Sequence, residues 1–324
     1  MMALSICSNG SQGYPENPAF FYWTHEMHQD LMDLVPNKTI NCLDDIGLVQ
    51  LIDVMPRIAP EGQTGDYAIA QAARVSYGDG TKSVNEDKGL IKYLMRHSHT
   101  TPTEMVVFKF RIKVPIFVSR QMCRHRMMSM NEISGRYSVM KDEFYFPKSE
   151  DLRKQSKTNK QGSEGSLEEI QSAVFSEAIK SQCKNAYDLY LKMLDAGVAR
   201  EQARMILPLN LYTEFYWKQD LHNLLHFLAL RLDSHAQYEI QVYAQAMHDL
   251  IKNIVPWTIE AWEDYNIMRG ATKLTRLEKE AIKKHNQEYK SSQGSRWIGN
   301  IDSENKREQA EWKAKANDLG FDIL

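Results

Sequence analysis

Val106-Val107-Phe108-Lys109-Phe110-Arg111-Ile112-Lys113-Val114-Pro115 alternates in character residue by residue. Period two puts Val106, Phe108, Phe110, Ile112 and Val114 on one face and Val107, Lys109, Arg111 and Lys113 on the other, which predicts a strand with one buried and one solvated side. Pro115 suits the first turn of a following helix. That helix is predicted to run to about Arg126, and its three- and four-residue spacing sets Gln121, Arg124 and His125 on one side. The chain then enters a Ser-Gly loop. Between Arg124 and Tyr137 it carries Arg124, His125, Arg126, Asn131, Glu132, Ser134, Gly135 and Arg136. Such a junction can present guanidinium groups and free backbone N–H groups to a bound anion.

Working outward, Val49 to Met55 alternates like a first strand, and Asp66 can cap a helix reaching about Tyr77. Leu90 to His97 has helical spacing, and Glu143 to Phe146 reads as a short strand. Residues 151–165 are rich in Lys, Ser, Gln and Gly and read as a mobile surface insertion. Ser166-Leu167-Glu168-Glu169 is a capping-box pattern opening a long helix that ends near Gly197. A shorter helix bears Arg200 and Arg204 and stops at Pro208. Leu211 to Trp217 resembles a strand, with Phe215-Tyr216-Trp217 assigned to core or subunit interface. Helices follow at about 220–232 and 235–253. This predicts an α+β fold: a mixed or antiparallel sheet core flanked by long helices, with no glycine-rich dinucleotide turn. Residues 1–45 read as an N-terminal extension, 46–267 as the main domain, and 268–324 as a charged tail. No internal repeat is visible.

The 324 residues are 43% hydrophobic and 25% charged, an ordinary globular composition. A formal net charge of −2 provides no global field for nucleic acid or anionic membrane. An anionic ligand must therefore be held by local Arg clusters. No apolar run approaches the ~20 residues of a membrane span. Met1 to Tyr14 lacks a basic segment typical of a signal peptide. Cys7, Cys42, Cys123 and Cys183 show no CxxC spacing and read as reduced thiols, giving a cytoplasmic expectation.

The Arg124-His125-Arg126 triplet followed after seven residues by Ser134 resembles the signature of the flavin-dependent thymidylate synthases. Three further blocks resemble the same family in the same order. They are His99-Thr100-Thr101-Pro102-Thr103-Glu104, Arg204-Met205-Ile206-Leu207-Pro208-Leu209-Asn210, and Leu230-Arg231-Leu232-Asp233-Ser234-His235-Ala236-Gln237. Four ordered blocks, spanning roughly residues 48 to 267, are far more specific than one Arg-rich motif.

The resemblance implies reductive methylation of deoxyuridine monophosphate (dUMP) at C5 to give thymidylate. 5,10-Methylenetetrahydrofolate would donate the carbon, and tightly bound FAD, re-reduced by NADPH, the hydride. It implies a homotetramer with active sites between subunits. It assigns catalytic roles to Arg231 and His99 and lists Ser134 with them, in binding and positioning, because no adjacent base is evident to activate its hydroxyl. dUMP would be bound by Gln121, Arg124, Glu132, Ser134, Gly135, Arg136, Arg204 and Arg231. FAD would be bound by Thr101, Arg124, His125, Arg126, Glu132, Asp220, His222 and His226. Arg231 stands out because it interrupts the apolar run Leu224 to Leu230, where a charge needs a partner or ligand.

Each residue also has a plainer reading. Arg124 to Arg126 can be a solvated basic helix end, Ser134-Gly135 a mere turn, and Gln121, Arg200 and Arg204 ordinary helix surface. Cys123 reads as packing, on the helix face opposite Gln121, and His235 as a structural hydrogen-bonder. Two rival functions fit these residues less well. A nucleic-acid-binding module using Arg124, Arg126 and Arg136 lacks a basic stripe. A metal hydrolase using His97, His99 and His125 lacks ligand spacing, so no metal is expected.

Overall fold

In a computed structural model of the chain, the alternating run is the central strand of a five-stranded sheet. The structure describes residues 27–75, 84–157, 160, 162–268, 274–294, 297–298, 301 and 306–323. Most of the expected N-terminal extension, and the expected helix end at Tyr77, lie outside these. In chain order, β1 is His28–Asp30, β2 Thr39–Cys42, β3 Gly47–Met55 and β4 Ile58–Pro60, followed by α1, Asp66–Val75. Helix α2 is Val84–Arg96 and α3 Thr101–Glu104; β5 is Val107–Pro115, α4 Ile116–Met122 and β6 Ser129–Glu132. Then come β7, Arg153–Gln155; β8, Ser163–Ser166; α5, Glu169–Asp195; and α6, Arg200–Ala203. Strand β9, Tyr212–Asp220, is followed by α7, Leu221–Arg231; α8, Tyr238–Ile251; and α9, Pro256–Trp262. Helices α10, Arg276–Gln293, and α11, Lys306–Asp318, alternate with the short strands β10, Trp297–Ile298, and β11, Asp322–Ile323.

Contacts divide the chain into two units, Met1–Val84 with Thr100–Pro256, and Asn85–His99 with Trp257–Leu324. In the first, the sheet order is β2-β3-β5-β9-β6 with every neighbouring pair antiparallel. Phe108, Phe110, Ile112 and Val114 are fully buried, as the alternation requires. They stand opposite Gln219, Trp217, Phe215 and Thr213 of β9. The other face is polar: Arg111 pairs with Glu214 at 2.6 Å, Lys113 with Glu143 at 2.8 Å, and Lys109 lies 5.2 Å over the Tyr216 ring. Helix α8 covers β2 and β3, where buried Tyr243 donates to the Lys113 carbonyl at 2.9 Å. A second cluster joins α5 to the segment after the Ser-Gly loop, built from Met140, Phe144, Cys183, Tyr190, Ala203 and Leu211.

Three local expectations need correction. The helix after Pro115 ends at Met122, not Arg126, because Arg124 N–H bonds Gln121 O and His125 N–H bonds Met122 O in tight turns. Arg124 and His125 therefore lie beyond the helix. The Ser166 capping box does not form. Ser166 ends β8 and donates its hydroxyl to Glu150 O at 2.8 Å, and Glu168 occupies the N-cap without a side-chain bond. Glu143 to Phe146 supplies one isolated bridge, Phe144 to Leu211, rather than a strand. The polar 151–165 segment, expected as a surface insertion, carries β7 and most of β8, which pair antiparallel.

In the second unit, α11 docks through acidic side chains. Arg96 of α2, 7% exposed, meets Glu311 at 2.7 Å and Glu308 at 3.4 Å, and the Tyr265 hydroxyl donates to Glu308. Lys88 and Lys92 flank Glu260. A capping box of Thr275 and Glu278 opens α10. Among the described residues, no helix is long and apolar enough to cross a membrane.

Candidate active site

Helix α7 positions the first group. Leu221, Leu224, Leu225, Phe227 and Leu228 bury one side of it, and Asp220 caps its start by accepting from Asn223 N–H at 2.9 Å. The cap holds Asp220 for structure as well as for any ligand. Arg231 ends the same helix, where a cation also complements the helix dipole. It donates from Nη2 to the Gln121 carbonyl at 3.4 Å, and its Nε is buried without a hydrogen-bond partner among the described residues. Burial holds its pKa below the usual arginine value. A half-buried guanidinium whose Nε is buried and unspent is suited to receiving an oxygen of a ligand.

Gln121, Arg124 and Arg231 line one cleft of about 1300 Å³. Its other walls come from β7 and β8 and from the turn between α7 and α8, through Arg153, Gln155, Asp233, His235, Gln237 and Glu239. The Ser-Gly loop leaves the edge strand β6. Glu132 accepts a hydrogen bond from the Thr213 hydroxyl. The Ser134 hydroxyl accepts from Arg136 N–H at 3.3 Å, its single hydrogen bond among the described residues. The Ser134 carbonyl accepts from the N–H groups of Tyr137 and Ser138. Gly135 is buried against Arg204: a Cβ at this position would lie 3.1 Å from both Arg204 Cδ and Met140 Sδ. Arg136, 58% exposed, pairs with Glu201 at 3.2 Å. The structure thus brings Gln121 to Arg231, and Arg204 to the Ser134–Arg136 loop.

His125 belongs to a different layer. It is buried, stacked on Trp217 at 6.1 Å and edge-on to His226 at 5.8 Å and Phe227 at 5.6 Å. Desolvation first, then His226 and Arg231, push its pKa below the ordinary histidine value, with Gln219 and Asp220 opposing. Trp217 Nε1 is buried without a hydrogen-bond partner among the described residues, and the His125 ring faces the side-chain amide of Gln219. Next to them are Arg124 and Arg126, exposed and without an ion pair among the described residues, and the exposed His226. An unspent indole donor and unpaired cations beside an aromatic floor fit a planar heteroaromatic group carrying a pyrophosphate.

Thr101 is exposed in the first turn of α3, which packs against α7. His222 and His226 share α7, one turn apart. His99 belongs to the second unit, where its ring meets Tyr93 at 5.8 Å and His97 at 6.5 Å, and His97 is tied to Glu311 at 3.0 Å. Cys123 is exposed rather than packed and lies 3.9 Å from Met130 Sδ. Among the described residues, no group of three or more His, Cys, Asp or Glu is arranged to hold a metal ion. The sequence pattern alone does not mark Trp217, Gln219, Gln237 and Glu239 as site residues. Gln237 closes a quoted motif, and Gln219 is a polar residue at a buried position of a strand; those are the signals they left.

An antiparallel α+β fold with an Arg-lined cleft is the frame of an enzyme acting on an anionic substrate. Residues 51–257 match the family model for the thymidylate synthase complementing protein. The flavin-dependent thymidylate synthase of Dictyostelium discoideum is 54% identical over 239 residues, 74% of this chain and 78% of the relative. The enzyme of that name from Thermus thermophilus is 54% identical over 245 residues, 76% of this chain and 85% of the relative. Among solved structures, the UMP/dUMP methylase PolB from Streptomyces cacaoi, bound with 5-Br dUMP, superposes with a TM-score of 0.61. Its identity is 31%, over 70% of this chain and 99% of that one. The chain belongs to the flavin-dependent thymidylate synthase family.

Proposed function

We propose that the chain methylates dUMP at C5, making thymidylate from 5,10-methylenetetrahydrofolate with FAD as cofactor and NADPH as reductant. The observation that carries this reading is the cleft shared by Gln121, Arg124 and Arg231. The family supports the reading, as do the relatives named for dUMP methylation or thymidylate synthesis.

In this reading Arg136, Arg204 and the backbone at Ser134 and Gly135 hold the nucleotide phosphate, with guanidinium forks matching its oxygens. Glu132 and Ser134 orient the sugar and loop. Arg231 meets the pyrimidine carbonyl edge. Its buried, unspent Nε donor strengthens its hold on negative charge there, which raises electron density at C5 without an enzyme thiol. Cys123 is not required: its thiol pKa is raised, foremost by desolvation. Thr101, Arg124, His125, Arg126, Asp220, His222 and His226 are assigned to FAD, and His99 to the flavin ring's surroundings. When bound, reduced flavin would supply the hydride that completes the methyl group. His125, held neutral, offers a neutral ring-nitrogen contact without adding charge. Assembly as a homotetramer with active sites between subunits belongs to the same proposal. So does the division into an extension up to residue 45, a domain of 46–267 and a tail of 268–324.

The test is thymidylate formation by purified protein under anaerobic conditions with dUMP, methylenetetrahydrofolate, FAD and NADPH. Product that vanishes when flavin is omitted supports the reading. A parallel reaction with UMP decides whether the chain accepts the ribonucleotide. A bound yellow cofactor without product from either nucleotide would overturn it.

A further inference from the structure

Arg153 opens β7, inside the insertion that the family motifs leave unexplained, and its guanidinium reaches into the cleft wall. Nη2 donates to Glu239 Oε1 at 3.0 Å and Oε2 at 3.2 Å, and the group lies 5.0 Å over the Tyr238 ring. Glu239 is 6% exposed. Gln237 donates from Nε2 to Glu239 Oε2 at 2.7 Å. A carboxylate held by a guanidinium only accepts, so Gln237 must turn its NH2 toward Glu239 and its oxygen away. That oxygen accepts from Gln121 Nε2. Gln121 therefore commits an amide hydrogen to Gln237 and keeps Oε1 as a free acceptor, with no other hydrogen bond to that oxygen among the described residues. Arg231, a donor, sits against the Gln121 carbonyl.

With Arg231 on a ring carbonyl, as read above, the Gln121 acceptor falls at N3; in the reverse order the same pair would suit cytosine. Uracil offers N3–H next to a carbonyl oxygen; cytosine offers an accepting N3 next to an exocyclic amine. We propose that Arg153, acting through Glu239 and Gln237, fixes the amide polarity of Gln121 and so makes the cleft select a uracil edge over a cytosine edge. Arg153, Glu239 and Gln237 are positioning residues in this scheme, and the proposal rests on the reading of the cleft as a pyrimidine nucleotide site. A neutral side chain at 239, either Gln or a buried carboxyl that takes up a proton once Arg153 is gone, can donate; it frees Gln237 to turn, and Gln121 with it. The site then presents NH2 as readily as oxygen.

The experiment is calorimetric titration of the full-length flavin-loaded protein with dUMP and separately with dCMP. It compares the unaltered chain with Arg153→Met, Glu239→Gln and Arg153→Lys. The unaltered chain is expected to prefer dUMP by at least about a hundredfold, because a site built around fixed polar groups rejects a mismatched edge. In Arg153→Met and Glu239→Gln, dUMP affinity falls about tenfold while dCMP affinity holds or rises, so the preference collapses. Arg153→Lys keeps the positive charge and recovers most of it. In turnover, the KM for dUMP rises more than kcat falls. A merely structural role would weaken both nucleotides alike. An unchanged preference in variants that still bind dUMP would overturn the relay and leave the functional reading standing. If Arg153→Met does not fold, Glu239→Gln, which keeps the side-chain shape, decides alone. Failure of the unaltered chain to bind either nucleotide would overturn the functional reading and this proposal with it.

Discussion

At the scale of single residues, Arg231 concentrates the chemistry. It combines a buried, unpartnered Nε with a pKa held down by desolvation. Arg231→Ala is predicted to lower turnover about 10²- to 10³-fold, the range for losing one preorganised donor at a developing charge. The flavin absorbance of the purified protein should be unchanged; loss of bound flavin in step with activity would make Arg231 structural. Gly135 is constrained by proximity, since an added Cβ would lie 3.1 Å from Arg204 Cδ. Gly135→Ala should displace Arg204 and raise the KM for dUMP several-fold with little change in melting temperature, an effect of about 1 kcal/mol. His125 carries a pH signature. Its folded-state pKa is lowered, foremost by burial, so the unfolded chain binds the proton first as pH falls. The stability of the flavin-free protein is then full above about pH 6.5 and declines below it. His125→Asn should flatten the loss of melting temperature between about pH 7 and 5.5, a difference on the order of 1 kcal/mol. Equal slopes would refute the assignment.

At the scale of elements, legibility followed how locally each structure is determined. Strand β5 was readable because its alternation records burial directly: Phe108, Phe110 and Ile112 are all fully buried. The Arg124–Tyr137 run was readable because the residues that frame it are contiguous. The end of α4 was not, since the turn bonds of Arg124 and His125 compete with helix continuation within one residue. β7 and β8 were hidden because their anchor, Glu239, lies 86 residues from Arg153 in the chain. The same distance hid Gln237 and Glu239 as parts of the site. Helix α11 is another long-range case, held by Glu308 and Glu311 on Arg96. Arg96→Met removes the cation between partly buried carboxylates and the Tyr265 hydroxyl. It should weaken docking of α11 by about 1–2 kcal/mol. Limited trypsin digestion should then cleave within Lys306–Asp318 sooner than in the unaltered protein. Identical digestion kinetics would mean that the ion cluster contributes nothing to docking.

At the scale of the whole molecule, α5 bears on assembly. A 27-residue helix with a purely solvated outer face would be polar there, yet Ile170, Val174 and Phe175 are 80%, 62% and 52% exposed. Leu189 and Leu191 continue the exposed apolar series toward its end. Apolar side chains grouped on one element mark a contact surface more often than a free one. The exposed Arg136–Glu201 pair and the largely exposed Arg204 would also gain from a neighbouring subunit, because charges at a half-open site are screened by water until a partner excludes it. The tetramer proposal then makes a joint demand on assembly and activity. Light scattering of the unaltered protein should give four times the chain mass. Ile170→Glu combined with Val174→Glu places two charges where the apolar contact is expected and should shift the mass to a smaller species. Neither residue touches the cleft, so a fall in dUMP turnover in proportion to the lost tetramer would tie the site to the interface. A monomeric unaltered chain with full turnover would instead confine the complete active site to one subunit, and the exposed side of α5 would need another partner.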